Sequence, residues 1–254
     1  MQTENSDQRL SLIPTQWSLI HQAHCGPPEV VDSARHQLLE RYGGAAKRYL
    51  RKVMRSNDAA DEVFQEFALG VLHGDLRGAD PKYGRFRSFV KGTLFHLIAD
   101  YRKRQRRWPG PLPAVGCDPA LMPDDPECDA EFIESWRDEL LARAWAALAA
   151  SDTRPDQPFY AVLRFRSDHP KTRSPEAAEQ LTARFGSRCT AEWVRQVLHR
   201  ARQKFAELLI EEVAHSLELP TDERLEQELI ELGLFEYCRP LVERRQGLAA
   251  ADPR

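Results

Sequence analysis

Apolar residues recur at every third or fourth position along most of this chain, and no segment alternates convincingly between apolar and polar residues. This periodicity is typical of amphipathic helices, so the sequence predicts an all-α fold. Helices are expected over about residues 34–54, 59–72, 83–107, 131–148, 158–165, 175–185 and 190–210. The helix expected over 83–107 has the clearest apolar stripe, which consists of Phe86, Phe89, Val90, Leu94, Leu97, Ile98 and Tyr101.

Proline-rich and acidic segments divide these helices into two small domains. Residues 108–130 contain six prolines mixed with acidic side chains, a composition typical of an extended linker. The expected organisation is an N-terminal arm (1–33) with at most a short helix around Trp17, a helical domain (34–108), a linker (109–130), a second helical domain (131–210) and an acidic extension (211–254). Within the extension, Pro220-Thr221-Asp222 predicts a separate helix that begins near Asp222.

Charge is strongly segregated along the chain, although the formal net charge of its 254 residues is only −3. Lys and Arg outnumber Asp and Glu by 17 to 8 over residues 35–107 and by 12 to 8 over residues 139–210. Acidic residues outnumber basic ones by 8 to 1 over residues 108–138 and by 11 to 5 over residues 211–254. Two basic blocks flanked by acidic segments indicate a polyanionic partner such as nucleic acid.

The remaining composition argues against several other classes of protein. Five dispersed cysteines without a CxxC pair favour reduced thiols, and no apolar run or signal-peptide pattern indicates a membrane or an export route. His21, His24 and Cys25 lie close together but lack a fourth metal ligand at a suitable spacing. Paired carboxylates, nucleophile–histidine arrangements and phosphate-binding glycine loops are not found either. We therefore expect a cytoplasmic protein that is not an enzyme and needs no cofactor or metal.

The helix expected over 83–107 carries a cationic face beside its apolar stripe. Arg87, Lys91, Phe95 and His96 lie on that side, and the helix ends in the basic run Arg102, Lys103, Arg104, Arg106 and Arg107. Phosphates require such charges, and unpaired bases stack on aromatic rings, so this face suits nucleic acid. The alternative is a basic face that is simply solvated.

A helix-turn-helix pattern occurs in the second basic block. Ser174-Pro175 is typical of a helix start, Gly186 follows the end of that helix, and Thr190 is expected to cap the next one. In a DNA-binding motif of this kind, the start of the second helix reads base edges. The candidate contact residues there are Thr190, Glu192, Trp193, Arg195, Gln196, His199, Arg200 and Arg202. An ordinary helical hairpin would have a similar pattern.

These parts, in this order, resemble the extracytoplasmic-function sigma factors of bacterial RNA polymerase. Residues 61–72 (DEVFQEFALGVL) are similar to region 2.2 of that family, residues 80–107 to regions 2.3 and 2.4, and residues 139–209 to region 4. The chain departs from the family pattern at Glu62, where Asp is usual, at Ala68, where an aromatic residue is common, and in its longer segment before Val194. It also lacks the insert expected of a primary sigma factor.

The resemblance implies a function and a set of partners. Core RNA polymerase, through the clamp helices of its largest subunit, would contact Asp61, Glu62, Gln65 and Glu66. The proximal promoter element and the melted strand would contact Tyr83, Arg85, Arg87, Lys91, Phe95, His96 and the terminal basic run. The second domain would read the distal element. An anti-sigma factor, or self-inhibition by the acidic extension, is a further interaction that the sequence leaves open, as is a structural role for that extension. The alternative function is that of a polymerase-independent helix-turn-helix regulator.

Overall fold

A computed structural model of the chain describes residues 16–25, 27–54, 56–74, 86–107, 126–152, 157–217 and 220–250. These residues form ten helices and no strand, which confirms the all-α prediction. The helices are α1 (Gln16–Gln22), α2 (Pro28–Val53), α3 (Asn57–His73), α4 (Phe86–Arg107), α5 (Pro126–Ser151), α6 (Phe159–Asp168), α7 (Ser174–Phe185), α8 (Ala191–Ala214), α9 (Asp222–Glu231) and α10 (Phe235–Ala250). The chain divides into two compact units, of which the first contains the residues up to Glu139 together with Ala214–Glu228.

The start of α2 corrects the predicted N-terminal arm. Residues 1–33 were expected to be loose apart from a short helix around Trp17; α1 is that helix, but α2 already begins at Pro28. Proline is favoured in the first helical turn, where its missing N–H has no helical partner in any case. The carbonyl of Pro27 accepts the first helical hydrogen bonds, from the N–H groups of Val30 and Val31, at 3.0 and 3.1 Å. The two prolines therefore start a helix instead of marking a loop.

The core of the first unit lies where α2, α3 and α4 pack on one another. Each helix contributes the apolar face that its sequence periodicity predicts. The buried side chains include Leu38, Tyr42, Tyr49 and Leu50 of α2, Val63, Phe67 and Val71 of α3, and Phe86, Val90, Leu94 and Ile98 of α4. Ser56 starts α3 as a cap, because its hydroxyl accepts a hydrogen bond from the Ala59 N–H at 3.3 Å.

The first half of α5 also belongs to this core, which corrects the predicted domain boundary at residue 131. Trp136 is buried and stacks on Tyr42 with ring centroids 5.1 Å apart and planes 7° apart. Phe132 meets Tyr49 edge to face at 5.4 Å. The helix itself starts at Pro126, inside the segment that was predicted to be linker; residues 108–125 lie outside the described residues.

Two glycines in the middle of α2 allow neighbouring side chains to approach the backbone. A Cβ added at Gly43 would lie 3.4 Å from the ring of Phe64, and one added at Gly44 would collide with the carboxylate of Glu139 on α5. That carboxylate is held against α2 by an ion pair with Arg48. The helix is continuous through both glycines, although each of them disfavours helix by roughly 1 kcal/mol relative to alanine.

The second unit contains residues 140–213 and 229–250, that is, the second half of α5, α6, α7, nearly all of α8, the end of α9 and α10. Aromatic contacts mark its core. Trp145 of α5 lies 4.7 Å from Phe205 of α8 and 5.9 Å from Tyr160 of α6, centroid to centroid. Tyr237 of α10 also contacts this cluster, with its ring 5.9 Å from that of Phe205.

The predicted boundary at residue 211 made the acidic extension one separate segment. The structure instead divides the extension between the two units. Helix α8 runs on to Ala214, residues 214–228 belong to the first unit, and the rest belongs to the second. The separate helix expected near Asp222 is confirmed as α9.

Candidate functional site

The basic end of α4 is mostly exposed to solvent. Lys103 and Arg106 are exposed, and Arg102 is half-buried. Arg104 is exposed as well, but it pairs with Glu66 of α3 and lies over the ring of Tyr101, at 5.9 Å from the centroid. This end of the helix thus offers closely spaced positive charges, which is the requirement for binding a phosphate backbone.

The middle of α4 is less open than the sequence predicts. Lys91 is only about a quarter exposed, and its ammonium pairs with Asp129 of α5. Phe95 is half-buried, with the ring of the exposed His96 6.2 Å away and nearly perpendicular to it. Phe95 and His96 are therefore two aromatic side chains of α4 with surface available beside its cationic residues.

Arg87 requires a correction. It was expected to present its charge on the exposed cationic face, but its side chain is only 9% exposed. Its Nε lies 3.2 Å from Oε1 of Glu228, a residue of α9 that belongs to the same compact unit. An isolated buried charge is strongly disfavoured, so an arginine in this position has to be paired. Tyr83 and Arg85, also expected to bind DNA, lie outside the described residues, as does the side chain of Arg107.

The face of α3 that was expected to bind polymerase divides into two sets. Asp61 lies 3.2 Å from Nζ of Lys47 and 3.8 Å from the guanidinium of Arg51, both on α2, and Glu66 pairs with Arg104. These two carboxylates therefore connect helices within the unit, and their side chains remain 44% and 33% exposed. Glu62 and Gln65 are exposed and lie three residues apart, on one side of the helix.

Leu69 extends this exposed side by one more turn and was missed in the sequence. It is 52% exposed, one of the few large apolar side chains at the surface of the described residues. It lies four residues after Gln65 and seven after Glu62, so helical spacing places all three together. That spacing is visible in the sequence, where Leu69 was not singled out.

In the second unit, α7 and α8 are joined by a short turn at the place where the sequence predicts a helix-turn-helix. The sequence predicted that Ser174 would cap α7, but Ser174 is the first residue of the helix and Arg173 lies at the cap position. The carboxylate of Glu176 accepts a hydrogen bond from the backbone N–H of Arg173 at 3.3 Å. Gly186 ends the helix in the left-handed conformation, with φ of 68°, which favours glycine. The hydroxyl of Thr182 then accepts from the N–H of Cys189 at 2.9 Å and holds the turn against α7.

Helix α8 begins as predicted. The hydroxyl of Thr190 accepts from the N–H of Trp193 at 3.1 Å, which confirms the cap. Trp193 itself is half-buried, and its ring meets that of Phe185 edge to face at 6.4 Å. Trp193 therefore packs on α7 and has only part of its surface available for a ligand.

The other candidate residues of α8 form one exposed face. Glu192, Arg195, Gln196, His199, Arg200 and Arg202 are exposed. The opposite face is the buried one and consists of Val194, Val197, Leu198, Ala201 and Phe205. An exposed helix start with arginine and glutamine on its surface can place hydrogen-bond donors in a major groove.

Three pKa shifts identify constrained groups outside these faces. The ammonium of Lys52 on α2 donates a hydrogen bond to the carboxylate of Glu134 on α5, with Nζ 2.5 Å from Oε2. This hydrogen bond and the positive charge of the lysine lower the pKa of Glu134. The same hydrogen bond, reinforced by Glu131, raises the pKa of Lys52 although partial burial opposes the shift. In the second unit, complete burial raises the pKa of the Cys238 thiol to about 12.

Among the described residues, none of the helices combines the length and the apolar character that a membrane span needs. Within the same residues, histidine, cysteine and carboxylate side chains do not gather in groups of three that could hold a metal ion.

Comparison with known proteins bears on the first unit. Residues 38–107 match the sequence model of the family described as Sigma-70 region 2, and they contain most of α2 and all of α3 and α4. The comparisons with curated proteins and with solved structures gave no match. The match supports a sigma-70-type factor in transcription initiation by RNA polymerase.

Proposed function

We propose that this chain is a sigma factor of the extracytoplasmic-function type, which binds core RNA polymerase and directs promoter recognition and melting. The observation that carries the proposal is the Sigma-70 region 2 match over 38–107, which contains α3 and α4, the helices that bear the candidate polymerase surface and the proximal DNA surface. Such a protein acts by binding, without a reaction of its own, in the compartment where polymerase and DNA meet.

The polymerase-binding surface in this proposal is the exposed side of α3. Glu62, Gln65 and Leu69 together offer a negative charge, an amide and an apolar side chain within two helical turns. A basic partner helix with an apolar stripe would be complementary to that combination. Asp61 and Glu66 support this surface indirectly, because their ion pairs join α3 to α2 and α4.

The DNA-binding surfaces are divided between the two units. Arg102, Lys103 and Arg106 on α4 would bind phosphates near the proximal element, with Phe95 and His96 nearby for unpaired bases. The exposed face of α8 would read the distal element by direct contacts to base edges. Two readers on one chain bind two elements more tightly than either reader alone, since the second contact is intramolecular.

Binding to core polymerase tests the proposal against the polymerase-independent regulator. The variant Glu62→Lys/Gln65→Ala should bind core polymerase at least tenfold more weakly than the wild type, a loss of about 1.4 kcal/mol in a titration. A matched control is Glu179→Lys/Gln180→Ala, which makes the same changes at two exposed residues of α7 and should leave the affinity unchanged. A wild-type chain that does not bind core polymerase would refute the sigma assignment. Equal affinities for the two variants would remove α3 from the interface only.

Promoter binding tests the division of labour. Replacing Arg102, Lys103 and Arg106 with alanine should weaken polymerase–promoter complexes on every promoter sequence and reduce the slope of log affinity against log salt by roughly 2 to 3. Alanine at Arg195, Gln196 or Arg200 should instead change the preference among distal-element sequences, measured in competition assays. The same response of both sets across promoter variants would contradict the proposed division.

A further inference from the structure

The ion pair between Arg87 and Glu228 is the most deeply buried one described in the first unit. The guanidinium Nε and the carboxylate Oε1 are 3.2 Å apart, and the two side chains are 9% and 1% exposed. Removing two charges from water is costly, and a well-packed apolar pair in the same place is often as stable or more stable. Global stability alone therefore does not account for the choice of an ion pair here.

The two partners come from parts of the chain with different tasks. Arg87 lies in the first turn of α4, one turn before Lys91, on the helix whose exposed residues form the candidate DNA surface. Glu228 lies on α9, in the acidic extension and outside the segment that matches Sigma-70 region 2. Residues 214–228 nevertheless belong to the same compact unit as α4.

Two buried neighbours of Glu228 on α9 are apolar. Leu225, three residues earlier, and Leu229, the next residue, are both buried, while Glu223 is exposed like most charged residues. Glu228 is thus a carboxylate in a position where the helical pattern predicts an apolar side chain. From that position the carboxylate of Glu228 pairs with Arg87. Among the described basic residues of α4, Arg87 is the only buried one.

We propose that α9 is an inhibitory latch, in which Glu228 occupies the guanidinium of Arg87 in the free chain and releases it to a phosphate of single-stranded promoter DNA. The carboxylate and the phosphate compete for the same donor, since arginine binds both with the same planar fork of N–H groups. The acidic extension thereby lowers the affinity of the free protein for DNA. This inference rests on the proposed function insofar as α4 contacts DNA.

The test is the salt dependence of binding to a short, fluorescent, mixed-sequence single-stranded DNA, measured by anisotropy with the full chain. Glu228→Gln keeps the shape of the side chain and removes its charge. It should bind more tightly than the wild type, and one additional phosphate contact should steepen the slope of log affinity against log salt by about 0.7. Between about 50 and 200 mM salt, the variant should lose roughly threefold more affinity than the wild type.

Two further variants separate the latch from simpler explanations. Glu223→Gln removes the same charge from an exposed position of α9, and its slope should equal that of the wild type. In an Arg87→Gln background, Glu228→Gln should no longer steepen the slope, because the released donor is absent. The latch is refuted if Glu223→Gln has the same effect as Glu228→Gln, if Glu228→Gln has none, or if its effect persists without Arg87.

A measurement on the unmodified chain covers the case in which Glu228→Gln does not fold. Amide hydrogen exchange of α9 in the wild type should accelerate when the single-stranded DNA is added, since the latch opens as Arg87 is taken by phosphate. Unchanged or slower exchange refutes the latch. Failure of the wild type to bind core polymerase would count against the sigma assignment and leave this result untouched.

Discussion

Trp136 provides the most direct test of the finding that α5 begins in the core of the first unit. Its indole is 2% exposed and stacks on Tyr42 at 5.1 Å, with Phe132 5.8 Å away. Replacing a buried tryptophan with alanine typically costs about 3–5 kcal/mol, through lost apolar contact and the cavity that remains. The lost stacking on Tyr42 contributes about 1 kcal/mol to this cost. This is a large fraction of the total stability of a domain, which is about 5–15 kcal/mol.

Urea unfolding followed by circular dichroism measures this cost. Trp136→Ala should lower the midpoint by on the order of 2 M, and amide exchange should rise in α2, where Tyr42 and Tyr49 lie. Ala130→Ser is the matched control, because it changes an exposed position of the same half of α5 and should alter stability by less than about 0.5 kcal/mol. A midpoint for Trp136→Ala close to that of the control, or faster exchange confined to α5, would refute the assignment of this helix half to the first core.

Two further predictions follow from the pKa shifts. Because the folded-state pKa of Glu134 is lowered, its pair with Lys52 stabilises the fold above the ordinary glutamate pKa and loses that effect as the pH falls through the folded-state pKa. The wild type and Glu134→Gln should differ only slightly in stability, because the pair is exposed, and this difference should shrink on acidification. A difference that stays constant in urea titrations across acidic pH would contradict this. The buried thiol of Cys238, with its pKa near 12, should resist iodoacetamide in the folded protein, while the exposed Cys25 reacts. Mass spectrometry of the labelled peptides checks this, and comparable labelling of both cysteines in folded protein would show that the site opens.

The helices could be predicted from the sequence because their signals are local. The apolar stripe of α4, the Thr190 cap and the glycine after α7 each lie within one or two helical turns of what they determine. The same holds for the exposed and buried faces of α8, which periodicity alone separates correctly. These are also the parts on which the resemblance to sigma factors depends.

The domain boundary could not be predicted in the same way. Periodicity shows that Phe132 and Trp136 face a core, but it does not show which core. The proline-rich segment before them suggested a break, so both residues were assigned to the second domain. Their actual partners, Tyr42 and Tyr49, lie far back in the chain, and a single sequence contains no signal for that pairing.

The solvent exposure of the charged residues of α4 could not be predicted from the neighbouring sequence either. Arg87 and Lys91 appear alike on the polar side of a helical projection, yet one is buried against Glu228 and the other pairs with Asp129. In each pair the acidic partner is distant in sequence. Charge pattern thus identified the helix with the exposed basic end and could not identify which of its cations are already paired with carboxylates.

Gly44 constrains how this chain can diverge or be engineered. Replacing helical glycines with alanine is a standard way to stabilise a protein, with a gain of about 0.4–1 kcal/mol where the site tolerates a methyl group. At Gly44 that methyl group would occupy the space of the Glu139 carboxylate, which pairs with Arg48. The substitution would therefore improve the isolated helix while displacing an ion pair that ties α2 to α5. Helix propensity alone therefore favours alanine at Gly44, whereas the contact between α2 and α5 disfavours it.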